Sequence, residues 1–351
     1  MNQKQQPVLK KRWIVLFAIL LFLHFYQLPF YYSQPGHAKH LDTVINVEEG
    51  YEKEEGSFML TTIRMGKANA FFYVWAQLSP YRHLYPEKQL RYEDETDEEY
   101  QHRQLMMMND SQENAKIVAY EKAGKGVQYE YRGVVVSSFI EGMPAAEVLE
   151  PGDRILEVDG TEVRTAERFM TLLEGKTAED QVELLVLRDK KQLTIDLGFS
   201  SFPEDLEVED DRVGVGIRAP MTDREVTFEP NVEIDTSEIG GPSAGLMFTL
   251  EIYNQLVEED ITKGYEIAGT GTMSENGEVG RIGGASQKIV AAHKAGADFF
   301  FAPNEKGVEN SNYQEAIVAA KDIKTTMKVI PIDTFEDALT YLQELPEKKS
   351  K

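Results

Sequence analysis

The 351-residue sequence predicts an α+β protein with an N-terminal transmembrane helix, a small β-rich module and a C-terminal α/β domain. Three observations lead to this fold class. An apolar stretch lies near the N-terminus, short strands of alternating hydrophobicity lie in the middle of the chain, and strands alternate with helices from about residue 201. The length suits two or three domains, and a hydrophobic content of 42% allows a packed core.

The N-terminal element is expected to be a signal anchor. The basic cluster Lys10-Lys11-Arg12 precedes a mostly apolar run over residues 13–32. Twenty helical residues span about 30 Å, the thickness of a bilayer core. Basic flanks stay on the cytoplasmic side, so residues 1–12 are predicted to be cytoplasmic and everything after residue 32 extracytoplasmic, at the cell membrane. A cleaved signal peptide is the alternative.

The overall charge limits the partners of the remaining chain. The sequence has 60 acidic and 37 basic residues, for a formal net charge of -23. This excess of negative charge argues against nucleic-acid binding and against broad attachment to anionic lipid. Cysteine is absent, which excludes disulfides and cysteine nucleophiles. No metal or cofactor is predicted, because the acidic run at residues 91–100 lacks the spacing of a calcium loop.

The region before the module combines strands with a helical segment. Residues 41–115 read as a β-rich lead-in followed by an acidic stretch with helical character.

The module at residues 120–200 contains short strands and two helices. Its text Gly-Met-Pro-Ala-Ala-Glu-Val-Leu-Glu-Pro-Gly-Asp-Arg-Ile-Leu-Glu-Val-Asp-Gly, residues 142–160, resembles a PDZ domain of the bacterial protease type. The resemblance implies that an extended peptide is added as a strand to a sheet edge. The expected groove runs along Gly133, Val134, Val135 and Val136 and the helix that starts at Thr165. A spacer or gate over an active site is the alternative role.

The strongest candidate nucleophile is a serine within residues 240–245, Gly-Gly-Pro-Ser-Ala-Gly. Ser243 is expected at the first turn of a helix, where unpaired N–H groups and the positive end of the helix dipole stabilise an oxyanion. Taken alone, an ordinary N-capping serine explains the position equally well. The letters also match the nucleophile elbow G-x-S-x-G, but that serine directly follows a strand, and here a Gly-Gly-Pro turn intervenes.

A lysine is the best candidate for the base. None of the six histidines has a sequence argument that brings it to Ser243, and His293 lies five residues beyond Lys288 on a predicted helix. The neighbours of Lys288 are mostly apolar, so its amine could be buried. Burial would lower its pKa from about 10.4 towards 7 or 8, where a neutral amine can act as a base.

Together these segments resemble the proteolytic domain of Lon proteases, over residues 201–345. The resemblance rests on residues 240–245, on Thr270-Gly271 and on residues 277–296. It implies that Ser243 is the nucleophile, Lys288 the general base and Thr270 the residue whose hydroxyl helps to hold the lysine. The backbone at Gly240, Gly241, Ser243 and Ala244 would then bind the oxyanion and the substrate. Lon proteins usually have aspartate where this chain has Gly240.

The order of anchor, PDZ domain and Lon-type domain resembles that of membrane-bound, PDZ-containing Lon-like peptidases of Gram-positive bacteria. The resemblance implies a PDZ insertion, with residues 41–64 pairing back onto the catalytic domain. It implies cleavage of peptide or protein substrates and allows a homo-oligomer. The sequence has no G-x-x-x-x-G-K-[ST] motif, so cleavage is expected without ATP. The alternatives are a non-catalytic PDZ scaffold on a Lon-like fold and a signal-peptidase-like Ser-Lys enzyme.

Overall fold

The computed structural model describes residues 8–53, 55–91, 95–203, 212–218, 220–236 and 240–349. Some sequence predictions therefore fall partly outside the described residues: the cytoplasmic tail at residues 1–7, the acidic run at 92–94, and the C-terminal domain at 204–211, 219 and 237–239. The chain divides into two compact units. The first unit consists of Met1–Gly126 and Phe228–Lys351, and the second unit of Val127–Thr227.

Helices and strands are numbered here in chain order. The described helices are α1 (Val8–Phe25), α2 (Ala70–Ala76), α3 (Glu87–Leu90), α4 (Asp97–Ala123), α5 (Ala145–Val148), α6 (Ala166–Leu173), α7 (Gly245–Leu256), α8 (Ala285–Ala295), α9 (Asn312–Asp322), α10 (Phe335–Glu344) and a short 3-10 helix (Glu305–Gly307). The described strands are β1 (Gln27–His40), β2 (Ile45–Val47), β3 (Ser57–Asn69), β4 (His83–Pro86), β5 (Gly126–Val135), β6 (Ser138–Phe139), β7 (Arg154–Val158), β8 (Thr161–Glu162), β9 (Gln181–Arg188), β10 (Lys191–Gly198), β11 (Ser200–Ser201), β12 (Val213–Gly214), β13 (Ile217–Arg218), β14 (Met221–Glu229), β15 (Val232–Ile234), β16 (Glu266–Gly269), β17 (Thr272–Met273), β18 (Val279–Gly280), β19 (Phe299–Pro303) and β20 (Lys328–Ile332).

The first unit is built on a six-stranded sheet in the order β20-β19-β16-β3-β1-β4. The pairs from β20 to β3 are parallel, whereas β1 pairs antiparallel with both β3 and β4. The helices α8 and α9 pack on this sheet through a buried cluster that includes Met59, Ile289 and Phe300. Because β3 lies next to β16, the lead-in of the chain forms part of the sheet that carries the C-terminal helices.

The second unit is a small sheet domain with its own core. Its main sheet has the order β10-β9-β7-β5-β14, and β8 pairs with β7. Phe169 from α6 is fully buried among strand residues such as Ile155 and Val186. The two units together confirm the predicted mixed α+β fold.

The predicted transmembrane span at residues 13–32 is wrong in its extent. The helix α1 ends at Phe25, and β1 begins at Gln27 and pairs with β3. Pro29 suits this ending because proline cannot continue a helix. The 18 residues of α1 include Lys10, Lys11 and Arg12, and the apolar remainder reaches only about 20 Å at 1.5 Å per residue. Within the described ranges, no helix is both long enough and apolar enough to cross a membrane. The expected extracytoplasmic placement depended on this span and has no support here.

Candidate active site

Ser243 lies in the turn before α7, two residues ahead of the first helical residue, Gly245. The backbone of this turn is fixed from two sides. The carbonyl of Ser243 accepts hydrogen bonds from Thr270 Oγ1 at 2.9 Å and from the Gly271 amide at 3.0 Å. A Cβ on Gly245 would lie 2.6 Å from the Met273 amide nitrogen, so only glycine allows this close approach. The last glycine of the Gly-Pro-Ser-Ala-Gly segment is therefore required by packing.

Lys288 comes from the first turns of α8 and is directed into the interior. Its side chain is buried, with 2% exposure. The amine Nζ donates to the carbonyl of Thr61 at 2.7 Å and to Ser243 Oγ at 2.9 Å. Burial lowers the pKa of Lys288 from 10.5 to about 7, because a charged amine loses its hydration in the interior. A lysine at this distance that is half neutral near pH 7 has the geometry and the basicity to take a proton from a serine.

Thr270 has a different contact from the one predicted. Its hydroxyl donates to the carbonyl of Ser243, and among the described residues it makes no hydrogen bond with Lys288. The group that holds the amine is instead the carbonyl of Thr61 on β3. The observed contact of Thr270 thus positions the serine turn, and its predicted role of holding the lysine stays a prediction.

The predicted oxyanion donors do not all have free N–H groups. Gly241 has φ of +88° and donates its N–H to the carbonyl of Gln104 at 3.1 Å. The N–H groups of Ser243 and Ala244 donate to no described residue, so these two are the better candidates. Gly240 is exposed and lies in the wall of the same cavity. Of the four predicted backbone positions, the amides of Ser243 and Ala244 therefore remain as candidate oxyanion donors.

A cavity of about 580 Å³ opens beside Ser243 and Lys288. One wall is the β3 segment from Leu60 to Met65, and Met108 from α4 also lines it. Beyond Leu60, no strand among the described residues pairs with the edge of β3 that faces β16, because the pairing with β16 ends at Leu60–Gly269. An extended peptide could therefore add to this open edge, next to the two candidate catalytic residues.

The sequence analysis did not assign several residues of this site, among them Thr61, Gln104 and His37. They lie on β3, α4 and β1, far along the chain from Ser243; Thr61 and Lys288 are 227 residues apart. His37 lines the cavity, where its Nε2 atom lies 2.5 Å from an Arg64 nitrogen. His293 has another contact, through Nδ1, to Thr325 Oγ1. The sequence pattern indicates a strand at residues 58–63, but it does not show how this strand packs against α8.

The predicted peptide groove at Gly133–Val136 is contradicted in the second unit. β5 lies between β7 and β14, so it is an interior strand of its sheet. The side chains of Val134 and Val136 are fully buried in the core. The backbone of Val136 is already bonded, to Asp153 through its N–H and to Gly152 through its carbonyl. A peptide cannot add to a strand whose edges are both occupied.

A different surface of this unit has the shape of a peptide groove. A cavity of about 330 Å³ lies between α6 and the segment Arg212–Ile217. Its α6 wall consists of Phe169, Met170 and Leu173, and Met170 is exposed. Of the two predicted walls of the peptide groove, the helix α6 therefore lines this cavity, whereas the strand segment at residues 133–136 does not.

Two segments of the chain match known protein families. Residues 235–344 match the Lon protease (S16) C-terminal proteolytic domain, and residues 111–198 match the PDZ domain. The PDZ domain of the SdrC-like protein from Listeria monocytogenes is 28% identical and covers 25% of this chain and 87% of that chain, with a TM-score of 0.22.

Two similar relatives are Lon proteases. The Lon protease of Campylobacter concisus is 35% identical over 100 residues, which are 28% of this chain and 11% of the relative. The Lon protease of Neorickettsia sennetsu is 35% identical over 109 residues, 30% of this chain and 12% of the relative. The similarity thus spans about a tenth of each relative. The chain combines a PDZ domain with a Lon-type proteolytic domain, and these similarities support a serine peptidase.

Proposed function

We propose that this chain is an ATP-independent serine endopeptidase that uses a Ser243–Lys288 dyad to cleave peptides or unfolded protein segments. The observation that carries the proposal is the 2.9 Å contact between Lys288 Nζ and Ser243 Oγ at a buried position. A surface lysine would stay protonated at neutral pH and could not act as a base, whereas burial lowers the pKa of this one to about 7.

The chemistry follows from the neutral form of the amine. Lys288 takes the proton of Ser243 as Oγ bonds to the peptide carbonyl carbon, and the resulting oxyanion accepts hydrogen bonds from the amides of Ser243 and Ala244. The C–N bond then breaks, and the ammonium of Lys288 returns the proton to the leaving amine. Water, deprotonated by the same amine, hydrolyses the ester and releases Ser243.

The shape of the cavity supports an extended substrate. The open edge of β3 beyond Leu60 offers backbone hydrogen bonds to a peptide of any sequence. Thr61 lies at the start of this edge, and its carbonyl holds Lys288, so a peptide on the edge passes the dyad. Such a peptide must be unfolded to present its backbone. The sequence has no Walker A motif, so this chain is not expected to use ATP to unfold stable substrates.

The PDZ domain is proposed to select the protein substrate, through the cavity between α6 and Arg212–Ile217. Met170 is exposed in that cavity and offers an apolar contact to a bound peptide. Met170→Asp should raise KM for a protein substrate more than for a short peptide. Equal changes for both substrates would remove the PDZ domain from substrate selection.

The test of the catalytic proposal is cleavage of a quenched fluorescent peptide library by the full chain, without ATP. Ser243→Ala should lose cleavage, and a fluorophosphonate probe should label Ser243 in the unaltered protein, as read by mass spectrometry. Ser138→Ala, at an exposed serine in the second unit, is the control and should keep both cleavage and labelling. Cleavage that persists in Ser243→Ala would refute the nucleophile. Cleavage that appears only after ATP is added would refute ATP independence.

A further inference from the structure

The catalytic cavity differs in charge from the rest of the molecule. The chain has a formal net charge of -23, with 60 acidic residues. Yet among the described residues that line this cavity, none is Asp or Glu, whereas His37, Lys39 and Arg64 stand in its wall beside Lys288. The acidic surface around the cavity attracts positively charged substrates. Inside the cavity the local charge is positive, so it favours an anionic group.

Among the residues that the structure describes, no carboxylate pairs with the positive groups Arg64 and Lys39 at the cavity. Arg64 contacts the Nε2 atom of His37 at 2.5 Å, and no described residue forms an ion pair with it. Arginine can only donate, so the ring nitrogen of His37 is the acceptor in this contact. The guanidinium keeps its full charge and its other N–H donors. The amine of Lys39 likewise has no hydrogen bond or ion pair with the residues that the structure describes.

Arg188 in the second unit shows what a carboxylate-paired arginine looks like in this chain. It donates to Asp153 at 2.6 Å and to Glu150 at 2.7 Å. Arg64 has no carboxylate partner among the described residues, so it keeps the fork of donors that matches a carboxylate.

The positions of Arg64 and Lys39 can be compared with that of Thr61, whose carbonyl binds the amine of Lys288. Arg64 lies three residues beyond Thr61 on β3, about 10 Å along the strand at 3.3 Å per residue. Lys39 pairs with Leu60, so it lies close to Thr61 on the neighbouring strand. A peptide on the open edge of β3 advances at the same spacing. Arg64 would therefore meet a side chain about three positions from the scissile bond.

We propose that the catalytic cavity selects substrates with an acidic side chain, aspartate or glutamate, within about three residues of the scissile bond, and that Arg64 and Lys39 bind this carboxylate. This specificity rests on the proposed peptidase function, but it concerns binding and can be measured without cleavage. The carboxylate replaces the missing counter-ion of Arg64, whose pairing with His37 fixes the direction of the guanidinium.

The test uses matched quenched fluorescent peptides that differ only by Glu or Gln at each of three positions on either side of the cleaved bond, all with amidated C-termini. One Glu position should raise kcat/KM about two- to fivefold over Gln, and 0.5 M salt should reduce this ratio because screening weakens an exposed ion pair. The double variant Arg64→Gln/Lys39→Gln should bring the ratio close to one. Lys321→Gln, at an exposed lysine of α9, should keep it.

Binding to the Ser243→Ala variant separates this specificity from catalysis. Fluorescence anisotropy should show tighter binding of the Glu peptide than of the Gln peptide, and the double variant should lose the difference. If the Glu preference in binding is present while the unaltered protein cleaves nothing, the peptidase proposal fails and the carboxylate site stands. Equal binding of both peptides would overturn the site, as would a preference that survives the double variant. A preference that appears only with a free C-terminal carboxylate would overturn the assignment to a side chain.

Discussion

Two ionisable residues of the first unit are buried to a similar degree and differ in what they face. Lys288 on α8 is 2% exposed, and Glu251 on α7 is 4% exposed. Burial lowers the pKa of Lys288 to about 7. Burial also raises the pKa of Glu251 from 4.5 to about 7, helped by the nearby carboxylates of Asp42 and Asp260. Both groups therefore titrate near neutral pH for the same physical reason, with opposite signs.

The difference lies in their partners. Lys288 contacts a serine hydroxyl at the wall of a cavity, whereas Glu251 accepts a hydrogen bond from Gln255 at 2.6 Å. The cavity of about 510 Å³ beside Glu251 is lined by several acidic residues and by Lys53. No serine, threonine or lysine in the described part of the chain forms a hydrogen bond with the carboxyl. A shifted pKa thus identifies burial in both cases. Only the contact with a nucleophile distinguishes a candidate catalytic group from a buried structural one.

The largest expected effect comes from replacing the base while keeping its charge. Lys288→Arg should reduce kcat/KM about 10²- to 10⁴-fold, because a guanidinium stays protonated at any usable pH. Peptide cleavage by the purified variant, with circular dichroism to check the fold, measures this. Lys294→Arg, at an exposed lysine of the same helix, is the matched control and should be fully active. A Lys288→Arg protein within about tenfold of the unaltered activity would exclude the dyad.

The pH dependence of cleavage sharpens the comparison, because both groups have a pKa of about 7. The base must be neutral, so kcat/KM should rise about tenfold per pH unit below 7 and level off above it. The rise alone does not say which group titrates. Glu251→Gln should keep the same profile if Lys288 is responsible. A flat profile in Glu251→Gln would instead show that the carboxyl controls activity.

The pH dependence of the free energy of unfolding should distinguish Glu251 from Lys288. The folded-state pKa of Glu251 is raised, so the folded state binds more protons than the unfolded state between pH 4.5 and about 7. The free energy of unfolding should therefore fall by about 3 kcal/mol as pH rises through this range. Lys288 acts in the opposite sense, since its lowered pKa makes stability rise between about pH 7 and 10.5.

Urea unfolding followed by tryptophan fluorescence reads these two slopes, because both tryptophans of the chain, Trp13 and Trp75, lie in the first unit. Glu251→Gln should flatten the slope below pH 7 and leave the one above it. Lys288→Met should do the reverse. If Glu251→Gln leaves the lower slope intact, the carboxyl is not the group that titrates there.

The sequence predicted the two candidate catalytic side chains, Ser243 and Lys288, but not the groups around them. Ser243 and Lys288 stand in short, specific segments whose resemblance to a known domain carries their pairing. Thr61 could not be predicted, because its carbonyl is a backbone group and its contact with Lys288 depends on how β3 packs under α8. Local patterns determine that a strand exists, whereas its neighbours depend on packing across the whole unit.

The two wrong predictions have related causes. Apolar residues at 13–32 suit a long helix, but residues from Gln27 onward gain backbone hydrogen bonds by pairing with β3. The Gly-Val-Val-Val segment at residues 133–136 predicts a strand correctly, yet the side-chain pattern does not distinguish an interior strand from an edge strand. In both cases the partner strand lies far away in the sequence.

The smallest expected effect concerns Thr270, and it distinguishes the two roles that sequence and structure assign to it. Thr270→Val keeps the shape of the buried side chain and removes the hydroxyl that donates to the carbonyl of Ser243. The Gly271 amide still holds this carbonyl, so the loss should be about 1 kcal/mol of stability and a severalfold drop in kcat/KM. If Thr270 only positions the serine turn, the midpoint of the pH–activity profile should stay near 7. A hydroxyl that held the lysine would also tune its basicity, and its removal would then move the midpoint. A shift of one pH unit or more in Thr270→Val would therefore restore the role that the sequence predicted, whereas an unchanged midpoint with reduced activity supports the contact with Ser243.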